Sequence, residues 1–387
     1  MNNLTSVQTN SEGKFLKNVQ FQERYNLLLL IKSCEKVKDI VKLQRIHADI
    51  LQKDLIMKDV YVATSLLTTY AKCGALEKAK EVFEQLPKRD VVSWNALIAG
   101  YIQHGFGDKA IKWFRKMKDE GVCPDAITYI CVLKACSVIR SLELGQEIDT
   151  EIRKCGLLQQ DILLATTLVG MYAKCGALQK AREVFDQLPS PDNVAWNALI
   201  AGYTEYGLGD EALKCFQLMR DAGALPDGVT YVCILRACGI VRSMKIGEEI
   251  HAEVRKRGFL RKDVVLGNAL VDMYAKCGAL EKAQEVFDQL PMRNIAAWSA
   301  LMAGYVKYSH GGEVLKCFRE MKNQGVSGNA TTYTSILKAC GLVGSLDIGE
   351  DIHLEVRKQG LLRKNIGLGS SLIDMYFKCG ALGKAHE

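Results

Sequence analysis

The chain has 387 residues, 48% of them apolar and 25% charged, with a net charge of +7. That composition excludes a disordered or low-complexity polymer and leaves ample apolar surface to bury. The basic excess is spread along the chain, which permits a polyanionic partner without requiring one; the lack of an apolar run near 18 residues argues against a membrane span.

Residues 1–20 carry two lysines, one glutamate and no arginine, and they contain no apolar h-region. They fit neither a secretory signal nor a strong organelle presequence, so residues 1–23 are expected to form a flexible N-terminal tail. From residue 24 onward the chain repeats itself. Tyr70, Tyr172, Tyr274 and Tyr376 recur every 102 residues, as do Trp94, Trp196 and Trp298, and Cys34, Cys136, Cys238 and Cys340. A fixed period of this kind signals a repeat architecture.

Each superperiod divides into three unequal units. Residues 24–59, 60–90 and 91–125 form the first trio, 126–161, 162–192 and 193–227 the second, and 228–263, 264–294 and 295–329 the third. A further unit covers 330–365, and a partial one 366–387.

Within a unit the apolar spacing is helical and breaks once. Val62, Leu66, Leu67 and Tyr70 share one helical face, Cys73-Gly74 interrupts, and Leu76, Ala79, Val82, Phe83 and Leu86 resume the pattern. This predicts a helix, a glycine stop and a second helix. Pro87, Pro189 and Pro291, with Pro124 and Pro226 in the longer units, would close the second helix and direct the chain into the next unit. One hairpin cannot bury both of its apolar faces, whereas a stack can, so the expected fold is an all-α, right-handed α-solenoid of helix-turn-helix repeats.

The chemistry-bearing residues mostly have structural explanations. The fourteen cysteines largely recur at equivalent positions and no C-x-x-C occurs, so reduced, packed thiols are expected and no metal site. Gly74, Gly176, Gly278 and Gly380 read as helix stops outside any phosphate-binding loop. His47, His251 and His353 share a position that Asp149 occupies in the second trio, which points to packing or surface and away from a ligand role. The zinc-deaminase signature pairs H-x-E with P-C-x-x-C; His251-Ala252-Glu253 and His353-Leu354-Glu355 fit the first part, but no P-C-x-x-C occurs, so no catalytic residues or cofactor are expected.

The units of 35 residues read V-V-S-W-N-A-L-I-A-G-Y…G-V-x-P-D, and they alternate with units of 31 reading M-Y-A-K-C-G-A-L and of 36 reading V-L-K-A-C…L-G-x-E-I-H. In these words, lengths and cyclic order, residues 24–387 resemble a pentatricopeptide repeat protein of the PLS subclass, as found among plant organelle RNA-editing factors.

The resemblance implies single-stranded RNA binding at one repeat per nucleotide, each base read by the fifth residue of the first helix and the last residue of the unit. The implied pairs are Thr64 with Asp90, Asn95 with Asp125, Thr166 with Asp192, Asn197 with Asp227, Asn268 with Asn294, Ser299 with Asn329, and Thr334 with Asn365. Val92, Val194 and Val265, at the second place, would wedge against base faces. Leu28, Ile130 and Val232 occupy the fifth place in 36-residue units, where an apolar side chain makes no discriminating hydrogen bond. The family's pairing rules then give a target 5′-NGUNGUNYA(A)N-3′, with C favoured at Y.

Polar residues near helix starts also act as caps, so recurrence at one place is what favours base readout here. Lys72, Lys174, Lys276 and Lys378 recur in the 31-residue units and are candidates for the RNA backbone. The implied role is to address C-to-U editing in an organelle, a mitochondrion or alternatively a chloroplast. Catalysis would come from a C-terminal domain not among these residues or from a deaminase-domain protein or other editing factor in trans. The alternatives are an organellar RNA stability, splicing or translation factor and, from another class, a protein-binding helical scaffold.

Overall fold

The structure, a computed structural model, describes residues 24–261 and 263–386; the tail expected over residues 1–23 lies outside the described residues. Among the described residues all regular elements are helical. The chain divides into two compact units at the Pro191–Asp192 junction.

In the first unit, a helix through residues 24–37 is followed by Ile40–Gln52 and the one-turn helix Leu55–Lys58. Four hairpins come next: Val60–Lys72 with Leu76–Gln85, Val91–Gln103 with Gly107–Asp119, Ala126–Ile139 with Leu142–Lys154, and Ile162–Lys174 with Leu178–Asp186. The second unit continues with Asn193–Glu205 and Gly209–Asp221, Gly228–Val241 and Met244–Lys256, and Val264–Cys277 and Leu280–Asp288. Ile295–Lys307 with Gly311–Asn323, Ala330–Val343 with Leu346–Lys358, and Ile366–Lys378 with Leu382–His386 complete it.

Local chemistry sets these boundaries. Asp59, Asp90, Asp125 and Asp161 precede the first helices of the first unit's hairpins, and each side chain accepts from an amide in the first turn. This satisfies donors that the helix leaves unpaired. The break inside the hairpin comes where Gly74 takes φ +83°, in the left-handed region that a side chain disfavours. A short element that the sequence pattern did not disclose follows three of the second helices: the 3₁₀ turns Leu157–Gln159, Phe259–Arg261 and Leu362–Lys364.

Within each unit the hairpins form two layers. Val60–Lys72 packs on Val91–Gln103, which packs on Ala126–Ile139, which packs on Ile162–Lys174, and the second helices cover that row from behind. The same row in the second unit runs from Asn193–Glu205 through Gly228–Val241, Val264–Cys277, Ile295–Lys307 and Ala330–Val343 to Ile366–Lys378. This is the α-solenoid of helical repeats expected from the sequence.

The repeated sequence words are packing devices. Trp94 is fully buried, edge-on to Phe83 at 4.7 Å, and Trp298 repeats this on Phe287 at 4.5 Å. Truncating such a residue to alanine costs about 3–5 kcal/mol. Gly100 lets neighbouring first helices touch, since a Cβ there would lie 2.5 Å from the Ala71 Cβ. The His/Asp position bridges successive hairpins: Asp149 accepts from the Tyr172 hydroxyl at 2.7 Å, and His251 and His353 each lie 2.9 Å from the hydroxyls of Tyr274 and Tyr376. Either side chain can accept a phenolic proton, which explains the His/Asp exchange. Cys136, Cys238 and Cys340 are buried, and burial pushes their thiols up to about 12.

Candidate functional site

The first-helix row carries the polar pattern singled out in the sequence. Thr64, Asn95, Thr166, Asn197, Asn268, Ser299 and Thr334 are each the fifth residue of a first helix. Asp90, Asp125, Asp192, Asp227, Asn294, Asn329 and Asn365 are each the N-cap of the following one. Helix capping therefore belongs to the second member of each pair, and the fifth residues sit one turn inside the helix with no capping duty. Their polarity needs another explanation.

Three pairs are hydrogen-bonded directly. Asn95 Nδ2 donates to Asp125 Oδ1 at 3.0 Å, Asn197 Nδ2 to Asp227 Oδ1 at 3.1 Å, and Asn268 Nδ2 to Asn294 Oδ1 at 3.1 Å. At the first two a third residue joins, three places beyond the cap. Thr128 Oγ1 donates to Asn95 Oδ1 at 2.7 Å, and Thr230 Oγ1 to Asn197 Oδ1 at 2.7 Å. Both threonines are fully buried and form capping boxes with Asp125 and Asp227. In the fourth such site Ser299 Oγ lies 2.9 Å from Thr332 Oγ1, which in turn caps with Asn329.

The other fifth residues and N-caps make contacts of their own. Thr64 Oγ1 is buried without a hydrogen-bond partner, while Asp90 caps the Ser93 amide at 2.9 Å. Thr166 Oγ1 is likewise buried and unpartnered; Thr166 belongs to the first compact unit and Asp192, which caps the Ala195 amide, to the second. Thr334 is half-buried, and Asn365 caps the Leu368 amide at 3.0 Å. Ile130 is buried in the core, and Leu28 and Val232 are half-buried.

The electrostatics follow from these bonds. Burial works to raise the Asp125 carboxyl, but hydrogen bonds from the Thr128 amide, the Asn95 carboxamide and the Thr128 hydroxyl outweigh it and hold it below its ordinary value. Asp227 behaves alike: burial opposes, and the Thr230 amide and hydroxyl with Asn197 prevail. Both sites thus present an ionised oxygen beside a carboxamide at neutral pH.

Val92, Val194 and Val265 are 56%, 61% and 61% exposed. Each stands three residues before Asn95, Asn197 or Asn268 on one helical face, so the apolar and polar groups are neighbours. Tyr61, Ile127, Leu163 and Val229 occupy the same second helical place and are also exposed, although only the three valines were singled out from the sequence. Counting from each N-cap would have found all of them. Single exposed apolar residues are ordinary, but a row in fixed register, Tyr61, Val92, Ile127 and Leu163 in the first unit and Val194, Val229 and Val265 in the second, describes a surface on each.

Lys72 lies eight residues beyond Thr64 on the same helix, about 12 Å further along at 1.5 Å per residue. It pairs with Glu35 at 2.7 Å, while Lys276 and Lys378 pair with Asp272 and Asp374, each at 2.8 Å. Lys174 holds the equivalent last place of Ile162–Lys174. Among the described residues no group of three or more His, Cys, Asp or Glu side chains could hold a metal ion, and no helix is long and apolar enough to cross a membrane. The arrangement is a ladder of paired donors and acceptors with apolar neighbours, suited to the edges and faces of flat heteroaromatic rings.

Comparison with known proteins is consistent with this architecture. The PPR repeat family matches residues 89–137, 191–239 and 293–341, and the PPR repeat matches 61–91, 165–190 and 268–295. A chloroplastic pentatricopeptide repeat-containing protein of Arabidopsis thaliana is 33% identical over 386 residues, covering 99% of this chain and 72% of its own. Another from that plant, also chloroplastic, is 34% identical over 367 residues, and a mitochondrial one is 33% identical over 351. The chain covers 59% and 50% of the length of those two, and they cover 95% and 90% of it. Among solved structures, the pentatricopeptide repeat protein PPR10 in complex with an 18-nt psaJ RNA element matches with a TM-score of 0.69 at 18% identity, over 80% of this chain and 47% of that one. At that identity the likeness is one of fold.

Proposed function

The chain belongs to the pentatricopeptide repeat family, and on that premise we propose that it is a sequence-specific single-stranded RNA-binding protein of a plant-type organelle. The observation that carries the reading is the hydrogen-bonded pair formed by a fifth helical residue and the next N-cap, as in Asn95–Asp125 and Asn197–Asp227, beside an exposed apolar residue. A base could place its edge on the polar pair and its face on the valine. A surface for peptides has no need of paired carboxamide and carboxylate groups at a fixed repeat.

Each unit from 24–59 to 330–365, and the partial unit 366–387 after them, takes one nucleotide in this reading, giving 5′-NGUNGUNYA(A)N-3′, with the units headed by Leu28, Ile130 and Val232 spacing the strand. The alternating lengths of 31, 35 and 36 residues support the PLS subclass, and with it a role in addressing C-to-U editing, the deaminase being supplied elsewhere in a longer protein or in trans. The relatives named as mitochondrial and chloroplastic support an organelle, and the mitochondrion is the compartment proposed.

Electrophoretic mobility shifts with 5′-AGUAGUACAAA-3′, its single-base variants and duplex DNA test the reading. Preference for the single strand and loss of affinity on changing the second, third, fifth or sixth base are expected. Equal affinity for all of these nucleic acids would remove the base-reading role.

A further inference from the structure

Three asparagines stand at the fifth place of a first helix, and their surroundings differ in two groups: Asn95 and Asn197 face an N-cap carboxylate and a threonine hydroxyl, whereas Asn268 faces the Asn294 carboxamide and no hydroxyl. An asparagine carboxamide has a donor end and an acceptor end, and fixing its plane takes a partner at each. At Asn95 the donor end faces the Asp125 carboxylate, which accepts only, and the acceptor end lies 2.7 Å from the Thr128 hydroxyl, whose one proton is shared between Asn95 Oδ1 and Asp125 Oδ1 at 2.9 Å. Thr128 is itself fixed, being fully buried and accepting from the Asp125 backbone N–H at 3.1 Å. Thr230 repeats every one of these bonds around Asn197.

At Asn268 the following helix carries Ala297 where the other two carry threonine. Asn268 Nδ2 still reaches Asn294 Oδ1 at 3.1 Å, but Asn268 Oδ1 is buried with no hydrogen-bond partner. That carboxamide is held at one end only. A buried acceptor without a donor is unfavourable, so turning the carboxamide over toward a ligand that offers a donor is favoured.

We infer that Thr128 and Thr230 are specificity-determining positioning residues, which lock the carboxamides of Asn95 and Asn197 so that a free N–H is offered to the base, and that Ala297 leaves Asn268 free to offer either end. The inference rests on the proposed base readout and deepens it. A locked carboxamide favours uracil, whose edge carries carbonyl acceptors, over cytosine, whose amino group needs an acceptor. An unlocked one takes both. The signal lies outside the pair itself, in the third residue of the next helix.

The test uses the full chain and 5′-AGUAGUACAAA-3′ with U or C at the third, sixth and eighth places, measured by fluorescence anisotropy. The wild type is expected to prefer U over C at the third and sixth places and to bind both alike at the eighth. Thr128→Val removes the hydroxyl at nearly constant volume and should lower the preference at the third place by about five- to tenfold, the worth of one hydrogen bond, leaving the sixth unchanged. Thr128→Ser should restore it. Ala297→Thr should create a preference for U at the eighth place. A purely structural role for Thr128 would lower the melting temperature and weaken all sequences together. If Thr128→Val keeps the wild-type preference at the third place, the positioning role is overturned while the readout stands. A wild type indifferent to all three places overturns the readout and the inference with it.

Discussion

Asp125 separates folding from recognition in a single residue. Its Oδ1 caps the helix Ala126–Ile139 through the Thr128 amide at 2.8 Å and also accepts from Asn95 at 3.0 Å. Replacing it with alanine removes both bonds. A lost N-cap costs about 1 kcal/mol and an unpaired carboxamide about another 1 kcal/mol, so Asp125→Ala should destabilise its compact unit by about 2 kcal/mol. For a unit of this size that lowers the melting temperature by about 4–8 °C. Asp125→Asn behaves differently, because asparagine caps as well as aspartate, and Asn294 already does so here, holding the Ala297 amide at 3.0 Å while accepting from Asn268. Asp125→Asn should therefore stay within about 0.5 kcal/mol of wild type and relax the base preference at the third place only in part, because Thr128 still holds the acceptor end of the Asn95 carboxamide. Circular-dichroism melts and RNA anisotropy on the same preparations measure the two effects. Equal destabilisation by both substitutions, or a melting temperature unmoved by Asp125→Ala, would refute the division of labour.

Four further outcomes are expected. Asp125 and Asp227 have carboxyls held below their ordinary value, so their contribution to stability is present above the unfolded value of about 3.9 and is lost as pH falls through the lowered folded value; the gap in melting temperature between wild type and Asp125→Ala/Asp227→Ala should narrow from pH 7 to pH 3, and a constant gap would contradict it. Gly100→Ala and Gly304→Ala place a Cβ 2.5 and 2.6 Å from the methyls of Ala71 and Ala275 and should destabilise by about 1–3 kcal/mol in urea titrations, whereas Gly312→Ala, with nothing within 4 Å, should stabilise by up to about 1 kcal/mol. Cys123 and Cys155 are exposed and should be alkylated first at pH 8, with Cys136, Cys238 and Cys340 reacting only on unfolding; early modification of the buried three in a mass-spectrometric time course would contradict their packing. If Lys72, Lys174, Lys276 and Lys378 touch phosphates, changing all four to alanine should weaken every RNA alike and reduce the slope of log affinity against log salt by about 1 per contact; an unchanged slope would leave Lys72, Lys276 and Lys378 as partners of Glu35, Asp272 and Asp374.

Much of this protein was legible in one dimension. The period of 102, the helical spacing of Val62, Leu66 and Tyr70, and the Cys73-Gly74 stop were enough for an all-α stack of hairpins, because a hairpin with two apolar faces has to stack. The words W-N-A-L and A-G-Y are likewise visible, but their meaning is geometric. Gly100 is needed because a neighbouring helix arrives within touching distance, and no local pattern states that. The His/Asp alternation at residues 47, 149, 251 and 353 was visible too, yet the tyrosine hydroxyl that makes the two interchangeable lies 23 residues away.

The same holds for the candidate site. Which positions could carry information was implied by the resemblance to pentatricopeptide repeats, with the recurrence of polar residues at one place on successive helices in its favour. Tertiary structure alone decided that Asn95, Asn197 and Asn268 bond to the next N-cap, that Thr128 and Thr230 close two of the pairs, and that Ala297 leaves the Asn268 oxygen without a donor. The reason is physical: helix periodicity and caps act over a few residues, whereas the bond between Asn95 and Thr128 spans 33 residues and exists only once two helices have packed side by side.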